Sequence, residues 1–547
     1  MRLTLRLLSS VVQKRPFYIT TPIFYVNAAP HIGHLYTALV ADAIQRFEKL
    51  TNPDCQVIFS TGTDEHGTKI QQAAAKEKVP LPEYCAKVSN EYRELFKDFD
   101  IEYTDFIRTT EERHKTAVCH FWKRLMDRDY IYKANYSGWY SVNDEAFVPE
   151  THLRDEVLDG EKVKVSTESG HRVEWTEETN YMFRLSEFRT HLLKWLETDG
   201  VIRPAKYQQQ LRASLERGYL PDLSVSRPAS RVPWAIRVPG DEEQSVYVWL
   251  DALVNYLTVA GFPDEEAMKA LGRPWPPDVQ VVGKDILKFH GVYWPALVMA
   301  GGLHPPRRLL CHAHWTAGGA KMSKSRANVA APREAPAPSH ALRYLLLREA
   351  TLLDDANYSE TKLVNIANAE LADTLGNLVS RCCGAALNPG QRMPALPRRQ
   401  LALMRGAAPA HQLLDQLERL PDACHALYSD CQFHKVADEA MRTLRLANQF
   451  FESSRPWLLK DRPEERERLD AVLHVAMETL RVCAVLLQPM VPELAARLLF
   501  KLRVPEEERS WDHSAPSWTQ DGQGGRQIEP GKFVLFQRIY AAKKARA

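Results

Sequence analysis

No run of eighteen consecutive apolar residues occurs in the 547-residue chain, so no membrane-spanning helix is expected. A surplus of either charge is also missing. The 71 Lys and Arg nearly balance 69 Asp and Glu, giving a net charge of +2, so any surface for nucleic acid must be local. Nine cysteines are present without a single C-x-x-C, which argues against both a zinc ribbon and a secreted disulfide framework. They read as reduced, buried small hydrophobes. Acidic residues are absent until Asp42. Before that point stand Arg2, Arg6, Lys14 and Arg15, with Ser9 and Ser10, and residues 1–15 have the composition of a mitochondrial transit peptide. The remainder, 45% hydrophobic and 26% charged, is ordinary for a soluble globular protein of two or three domains.

The chain is organised around residues 17–50. Tyr18, Ile19, Thr20, Ile23, Phe24, Tyr25 and Val26 form an apolar, β-branched and aromatic run that predicts a buried strand. Asn27-Ala28-Ala29-Pro30 breaks it, and Pro30 suits the first turn of a helix. Leu35, Leu39, Ala43 and Phe47 follow at four-residue intervals and predict a core-facing helix. His31-Ile32-Gly33-His34 therefore falls at a helix N-terminus, with free N–H groups, partial positive charge and two imidazoles on one face. Gly33 would let a nucleotide approach the backbone closely.

A second buried strand is expected at Gln56–Ser60, ending at Thr61-Gly62-Thr63-Asp64-Glu65-His66-Gly67, with helix from Lys69. This β-α-β-α order predicts a doubly wound parallel sheet, whose ligands sit at the carboxyl ends of strands. Asp64, Glu65 and His66 lack a third spaced ligand and read as a polar loop facing the crevice. Residues 120–235 look like a small β-rich insertion, containing Tyr136, Gly138, Trp139 and Tyr140. The wound pattern resumes at Ser245–Ala252, and Val279–Val282 is a further strand closing on Gly283-Lys284-Asp285. A helix bearing Phe289, His290 and Trp294 comes next, followed by a strand at Arg308–Cys311. In Gly318-Gly319-Ala320-Lys321-Met322-Ser323-Lys324-Ser325, two lysines on a loop could close over phosphates. Pro332, Pro336 and Pro338 mark a boundary. Beyond about residue 340, stripes such as Leu371, Leu375 and Leu378, then Leu473, Ala476, Leu480, Cys483 and Leu487, predict an all-helical domain. Residues 506–530 read as loop, and Phe533–Phe536 as an apolar segment docking back ahead of Lys543, Lys544 and Arg546.

HIGH at 31–34 paired with KMSKS at 321–325 resembles the signature of class I aminoacyl-tRNA synthetases. TTPIFYVNAAPHIGHLYTALVADAIQRF, GTDEHGTKIQ, DLSVSR, YVWLDALVNYLT and VGKDILKFHGVYWPA narrow the likeness to the methionyl-tRNA synthetase family, in order from about residue 17 to 500. The Arg-rich start suggests its mitochondrial form. The resemblance implies a Rossmann-like catalytic domain over 16–339, with its insertion at about 120–235. A helical anticodon-binding domain would cover 340–505, and a tail 506–547. It implies that His31 and His34 hold the ATP phosphates and that Lys321 and Lys324 stabilise departing pyrophosphate. Gly33, Gly283 and Asp285 would complete the ATP site, the carboxylate of Asp285 bonding the ribose hydroxyls. Ile23, Tyr25, Trp249, Tyr256, His290 and Trp294 match the family's methionine pocket, with Asp64 on the α-ammonium. Asn377, Arg381 and Trp457 match its anticodon-reading positions, where an amide, a guanidinium and an aromatic face suit splayed RNA bases.

The expected ligands are L-methionine, ATP with Mg²⁺ as substrate complex, and tRNA(Met), in a monomer of the mitochondrial matrix. Independently of the resemblance, aromatic rings suit a thioether, each sulfur–ring contact being worth about 0.3–1.5 kcal/mol. Three departures stand out. Where many members carry zinc-binding cysteines the chain reads Gly138-Trp139-Tyr140-Ser141-Val142-Asn143-Asp144, so no zinc is expected. KMSKS continues as Arg326-Ala327-Asn328 rather than with Leu-Gly-Asn, and Ala/Pro-rich residues 330–338 follow it. No appended tRNA-binding module is expected beyond the helical domain. Two alternatives stay open: a class I synthetase for another aliphatic amino acid, and a catalytically impaired tRNA-binding paralogue.

Overall fold

The structure, a computed structural model, describes residues 15–141, 146–148, 150–158, 161–167, 169–218, 220–322, 329–519 and 525–540. Two compact units emerge: one from the residues up to Ala29 with Ser60–Tyr92 and Thr104–Cys311, the other from Pro30–Phe59, Arg93–Tyr103 and His312 onward.

The first unit is built on a seven-stranded sheet. Its strands are β1 (Phe17–Thr20), β2 (Phe24–Tyr25), β3 (Val57–Asp64), β4 (Asp105–Arg108), β5 (Ile202–Arg203), β6 (Val279–Gly283) and β7 (Leu309–His312). They run in the order β5-β7-β6-β1-β3-β2, with β4 also on β3. The pairings β1–β6, β5–β7, β2–β3 and β3–β4 are parallel. All eight residues of β3 are buried, as an interior parallel strand requires. Gly62 is obligatory there: a Cβ would lie 2.0 Å from the Ile107 carbonyl oxygen.

Several expected elements change shape. The run 17–26 is two strands, because Pro22 interrupts the ladder. β3 continues four residues past Ser60, so Asp64 ends a strand rather than sitting in a loop. Within 120–235, residues 120–127 finish a helix, α2 (Glu112–Asp127). The β-rich part is a four-stranded sheet of Ile131–Ser141, Ala146–Val148, Glu174–Phe183 and Leu223–Ser224, plus the hairpin Leu153–Leu158 with Glu161–Ser166. Residues 205–217 are helical, burying Tyr207, Leu211 and Leu215 at four-residue spacing, and Ile202–Arg203 belongs to the main sheet. The segment 245–252 divides: Asp241–Val246 pairs antiparallel in a small sheet, and helix α3 (Val248–Val259) takes the rest.

The second unit is mainly helical. It contains α1 (Ile32–Thr51), α4 (Ser339–Glu349), α5 (Asn377–Cys383), α6 (Phe433–Ser454) and α7 (Arg466–Leu487). Every residue from Ala471 to Leu487 of α7 is buried, as in a central bundle helix. Pro489 falls in the break after α7, and Pro492 opens the next helix, Pro492–Lys501. The region 506–530 is not all loop, since Arg526–Gln527 pairs with Arg392–Met393. Leu535 and Phe536 are buried and Asn368 bonds both backbone groups of Ile539, so the apolar tail docks as expected. Its basic end, Lys543, Lys544 and Arg546, lies outside the described residues. All nine cysteines are free and seven are buried. No helix among the described residues is long and apolar enough to cross a membrane.

Candidate active site

The two histidines of HIGH cap α1 reciprocally. His31 is the N-cap; its Nδ1 accepts from Gly33 N–H at 3.0 Å, and His34 Nδ1 accepts from His31 N–H at 3.2 Å. The rings stack with centroids 3.8 Å apart. Since both Nδ1 atoms accept, the ring proton of each neutral imidazole lies on Nε2, making two N–H donors suited to phosphate oxygens. Gly33 is required because a Cβ would meet His31 Cε1 at 2.8 Å. Two expectations change here. Pro30 stands outside the helix, one residue before the N-cap. The first-turn N–H groups are also engaged, Gly33 by His31 and Ile32 by the Ala330 carbonyl at 3.2 Å, so imidazole rather than bare backbone is offered to an anion. Lys321 closes a short strand, Ala320–Lys321, paired with Trp315–Ala317. Lys324, with Arg326 and Ala327, lies outside the described residues.

The expected methionine residues belong to the first unit. Tyr25 on β2 is paired in register with Asp64 on β3, whose carbonyl accepts from Val26 N–H at 3.1 Å. Ile23, half-buried, precedes β2. On α3, Trp249 stacks against Phe289 with centroids 3.6 Å apart. Tyr256 donates its hydroxyl to His290 Nε2 at 2.8 Å, because His290 Nδ1–H is committed to the Ile286 carbonyl at 3.0 Å. Burial pushes His290 down to about 4, so this imidazole is neutral at pH 7. Trp294 is fully buried 5.8 Å from the Tyr256 ring, and its Nε1 has no partner among the described residues. A π-turn over Phe289–Tyr293 carries the chain from His290 to Trp294, the kind of bulge that recurs at functional sites. Gly283 ends β6, buried, while Asp285 is exposed just beyond it.

Sequence reasoning missed the polar centre of this unit. Asp251, fully buried on α3, accepts from His66 Nδ1 at 2.6 Å and His114 Nε2 at 2.8 Å. Burial raises its pKa, but the two imidazoles outweigh this and bring it down to about 2. The available signal was a lone carboxylate in an otherwise apolar helix, which has to find a partner. Glu65 and His66 do lie in the loop after β3, as expected, but both are buried, Glu65 being clamped by Arg108 at 2.7 and 3.0 Å.

In the second unit, Asn377 and Arg381 lie one turn apart on α5. The Arg381 guanidinium pairs with Glu452 and lies 4.9 Å from the Phe451 ring and 5.8 Å from the Trp457 ring, which is 37% exposed. Amide, guanidinium and indole are thus presented on one unit, with Asn377 also exposed. Among the described residues no group of three or more His, Cys, Asp or Glu is arranged to hold a metal.

Residues 17–383 match the family model of class I tRNA synthetases (M), and residues 405–546 that of the anticodon binding domain of methionyl tRNA ligase. The mitochondrial methionine–tRNA ligase of Bos taurus is 45% identical over 546 residues, covering 95% of this chain and 90% of the relative. The mitochondrial enzyme of Homo sapiens is 43% identical with the same coverage. Among solved structures, Mycobacterium tuberculosis methionyl-tRNA synthetase bound by methionyl-adenylate superposes with a TM-score of 0.86 at 35% identity, covering 96% of this chain and 100% of that one. With both models matched along the chain and a parallel sheet and helical region in the expected order, the chain belongs to the methionyl-tRNA synthetases of class I.

Proposed function

We propose that this methionine–tRNA ligase works by positioning and charge stabilisation, without a covalent enzyme intermediate. The methionine carboxylate attacks the α-phosphate of ATP, giving methionyl-adenylate and pyrophosphate. The methionyl group then passes to the terminal adenosine of tRNA(Met). His31 and His34 hold the phosphates through Nε2–H, with Gly33 keeping His31 folded back. Lys321 and Lys324 meet the charge developing on pyrophosphate. Gly283 and Asp285 receive the adenosine. Methionine lies among Ile23, Tyr25, Trp249, Tyr256, His290 and Trp294, its ammonium on Asp64. The neutral His290, fixed by Tyr256 and Ile286, suits an uncharged thioether.

Asn377, Arg381 and Trp457 read the anticodon within a helical region of about 340–505. Mg²⁺ enters with ATP as part of the substrate, and no zinc is called for by a chain without C-x-x-C. The mitochondrial names of the relatives and the acid-free start to Asp42 support action in the mitochondrial matrix after removal of an N-terminal leader. Arg15, given above to that leader, bonds Asp278 and the Pro276 carbonyl within the first unit, which favours a leader that ends before it. The protein is read as a monomer.

The observation that carries this reading is the mutually capped His31–His34 pair, which fixes both tautomers before any ligand arrives. Methionine-dependent ATP–pyrophosphate exchange tests it. Lys324→Ala should depress exchange, Trp249→Ala should raise KM for methionine far more than for ATP, and Trp457→Ala should spare exchange while impairing tRNA charging. Undiminished exchange in His31→Ala together with Lys324→Ala would refute the assignment. A panel of amino acids in the same assay separates methionine from another aliphatic substrate.

A further inference from the structure

A cavity of ≈ 470 Å³ opens in the first unit between α2 and residues 235–242. Lys115, Cys119 and Lys123 project along one face of α2 at four-residue spacing and line it, facing Arg237, with Glu242 and His66 completing the wall. Its charge is lopsided. Lys115 pairs with Glu112 at 2.7 Å, but Lys123 and Arg237 have no carboxylate partner among the described residues. Arg237 instead donates to Ser245 Oγ at 2.6 Å and to the Pro233 carbonyl at 3.3 Å. Glu242 is the one acidic residue in the lining.

His66 supplies the second observation. It is 4% exposed, its Nδ1 is bound to Asp251 at 2.6 Å, and its Nε2 has no hydrogen-bond partner among the described residues. A buried ring nitrogen at a cavity wall, held in orientation by a carboxylate behind it, is the arrangement that receives a ligand atom. None of these residues is assigned to the ATP, methionine or anticodon sites described above.

We infer that this cavity binds a phosphate group, the planar fork of Arg237 and the ammonium of Lys123 meeting its oxygens and His66 Nε2 accepting from a P–OH. A phosphate is favoured because Lys115, Lys123 and Arg237 outnumber Glu242 in the lining and its several oxygens can meet cations from both α2 and residues 235–242. The group arrives either as a free phosphate, whose monoanion carries the P–OH, or as a phosphodiester of bound RNA, which would engage the cations of Arg237 and Lys123 alone.

The test uses full-length enzyme with inorganic phosphate, against chloride at matched ionic strength, and separately with a tRNA transcript. Two readouts are taken: melting temperature, and alkylation of Cys119 by iodoacetamide followed by peptide mapping. Phosphate should raise the melting temperature and protect Cys119. The half-effective concentration should rise about tenfold in Lys123→Gln and in Arg237→Gln, as expected for losing one charge-assisted hydrogen bond. Methionine-dependent exchange should be unchanged in both variants. Protection by the transcript alone, lost in the same variants, assigns the phosphate to RNA. Equal phosphate and transcript effects in wild type and both variants, or no effect of either ligand beyond chloride, overturn the proposal. If Cys119 resists alkylation in the free enzyme, the difference in melting shift between wild type and variants decides by itself.

Discussion

Two fully buried aspartates, one in each unit, are neutralised in different ways. Asp42 on α1 of the helical unit is held by guanidiniums: Arg343 bonds it, and Arg46 reaches it at 2.8 Å. Arg343 is itself 1% exposed and also donates to the carbonyls of Met490, Phe99, Asp100 and Pro489, so it knits α1 to α4 and to the segment after α7. Asp251 in the sheet unit is held by imidazoles, His66 and His114. The guanidinium pairing recurs in the helical unit. There Glu370 meets Arg348 and Arg445, and Glu478 meets Arg481. In the sheet unit guanidiniums also serve, on Glu65 through Arg108 and on Glu178 through Arg231, so the imidazole pair is particular to Asp251. A guanidinium is charged at every physiological pH, so it makes a permanent strut; an imidazole is a planar partner with one N–H donor on each ring nitrogen at most. The helical unit is therefore braced by permanent charges, whereas the buried carboxylate of the sheet unit is held by two oriented imidazole rings.

The largest expected effect breaks the strut. Arg343→Met leaves Asp42 buried without its main partner and should cost about 3–5 kcal/mol of stability by urea denaturation. A loss below about 1 kcal/mol would show that Arg46 alone suffices. The next test concerns pH in the sheet unit. His290 has its pKa lowered by burial to about 4, so the unfolded chain takes up a proton first as pH falls. Its contribution is complete above the unfolded value near 6.5 and is lost between there and about 4, amounting to about 3 kcal/mol at most. His290→Gln should flatten the stability curve in that window. Asp251 has the opposite chemistry but the same sign, being an acid whose folded pKa is lowered to about 2. Its contribution is complete above the unfolded value near 3.8 and disappears as pH falls through about 2, about 2 kcal/mol in all. Asp251→Asn should remove that dependence, and an unchanged acid limb would mean that the imidazoles do not stabilise the carboxylate. The smallest effect belongs to Arg46→Gln. Arg46 is 13% exposed and shares Asp42, Asp100 and Glu102, so about 1 kcal/mol is expected, reduced by salt.

Much of this architecture was legible in local pattern. The spacing of Leu35, Leu39 and Ala43 gave the helix after HIGH, and all three are buried. The Leu473–Leu487 stripe predicted a bundle helix that turned out to be buried all round. The run closing on Gly283 predicted a strand, which is observed over Val279–Gly283. Boundaries were less legible. A ten-residue apolar run does not announce that Pro22 cuts it in two, nor does a β-rich composition reveal that Ile202–Arg203 leaves the insertion to pair with Leu309–Leu310. Strand pairing joins residues more than a hundred positions apart, and such contacts leave no local period to read.

What the sequence alone determined is the kind of protein: histidines three apart at a helix start, a lysine loop far along the chain, aromatics at helical intervals, and the order of elements. Each is a short-range property written in residue type and spacing. Tertiary structure decided the protonation and orientation of those groups. That His31 and His34 carry their protons on Nε2 follows from the acceptor role of each Nδ1, a role set by the bend of the chain at the N-cap. That Asp251 lies between His66 and His114, and Asp42 beside Arg343, follows from packing elements distant in sequence. Charge state depends on burial and on the facing partner, and both exist only once the chain has folded.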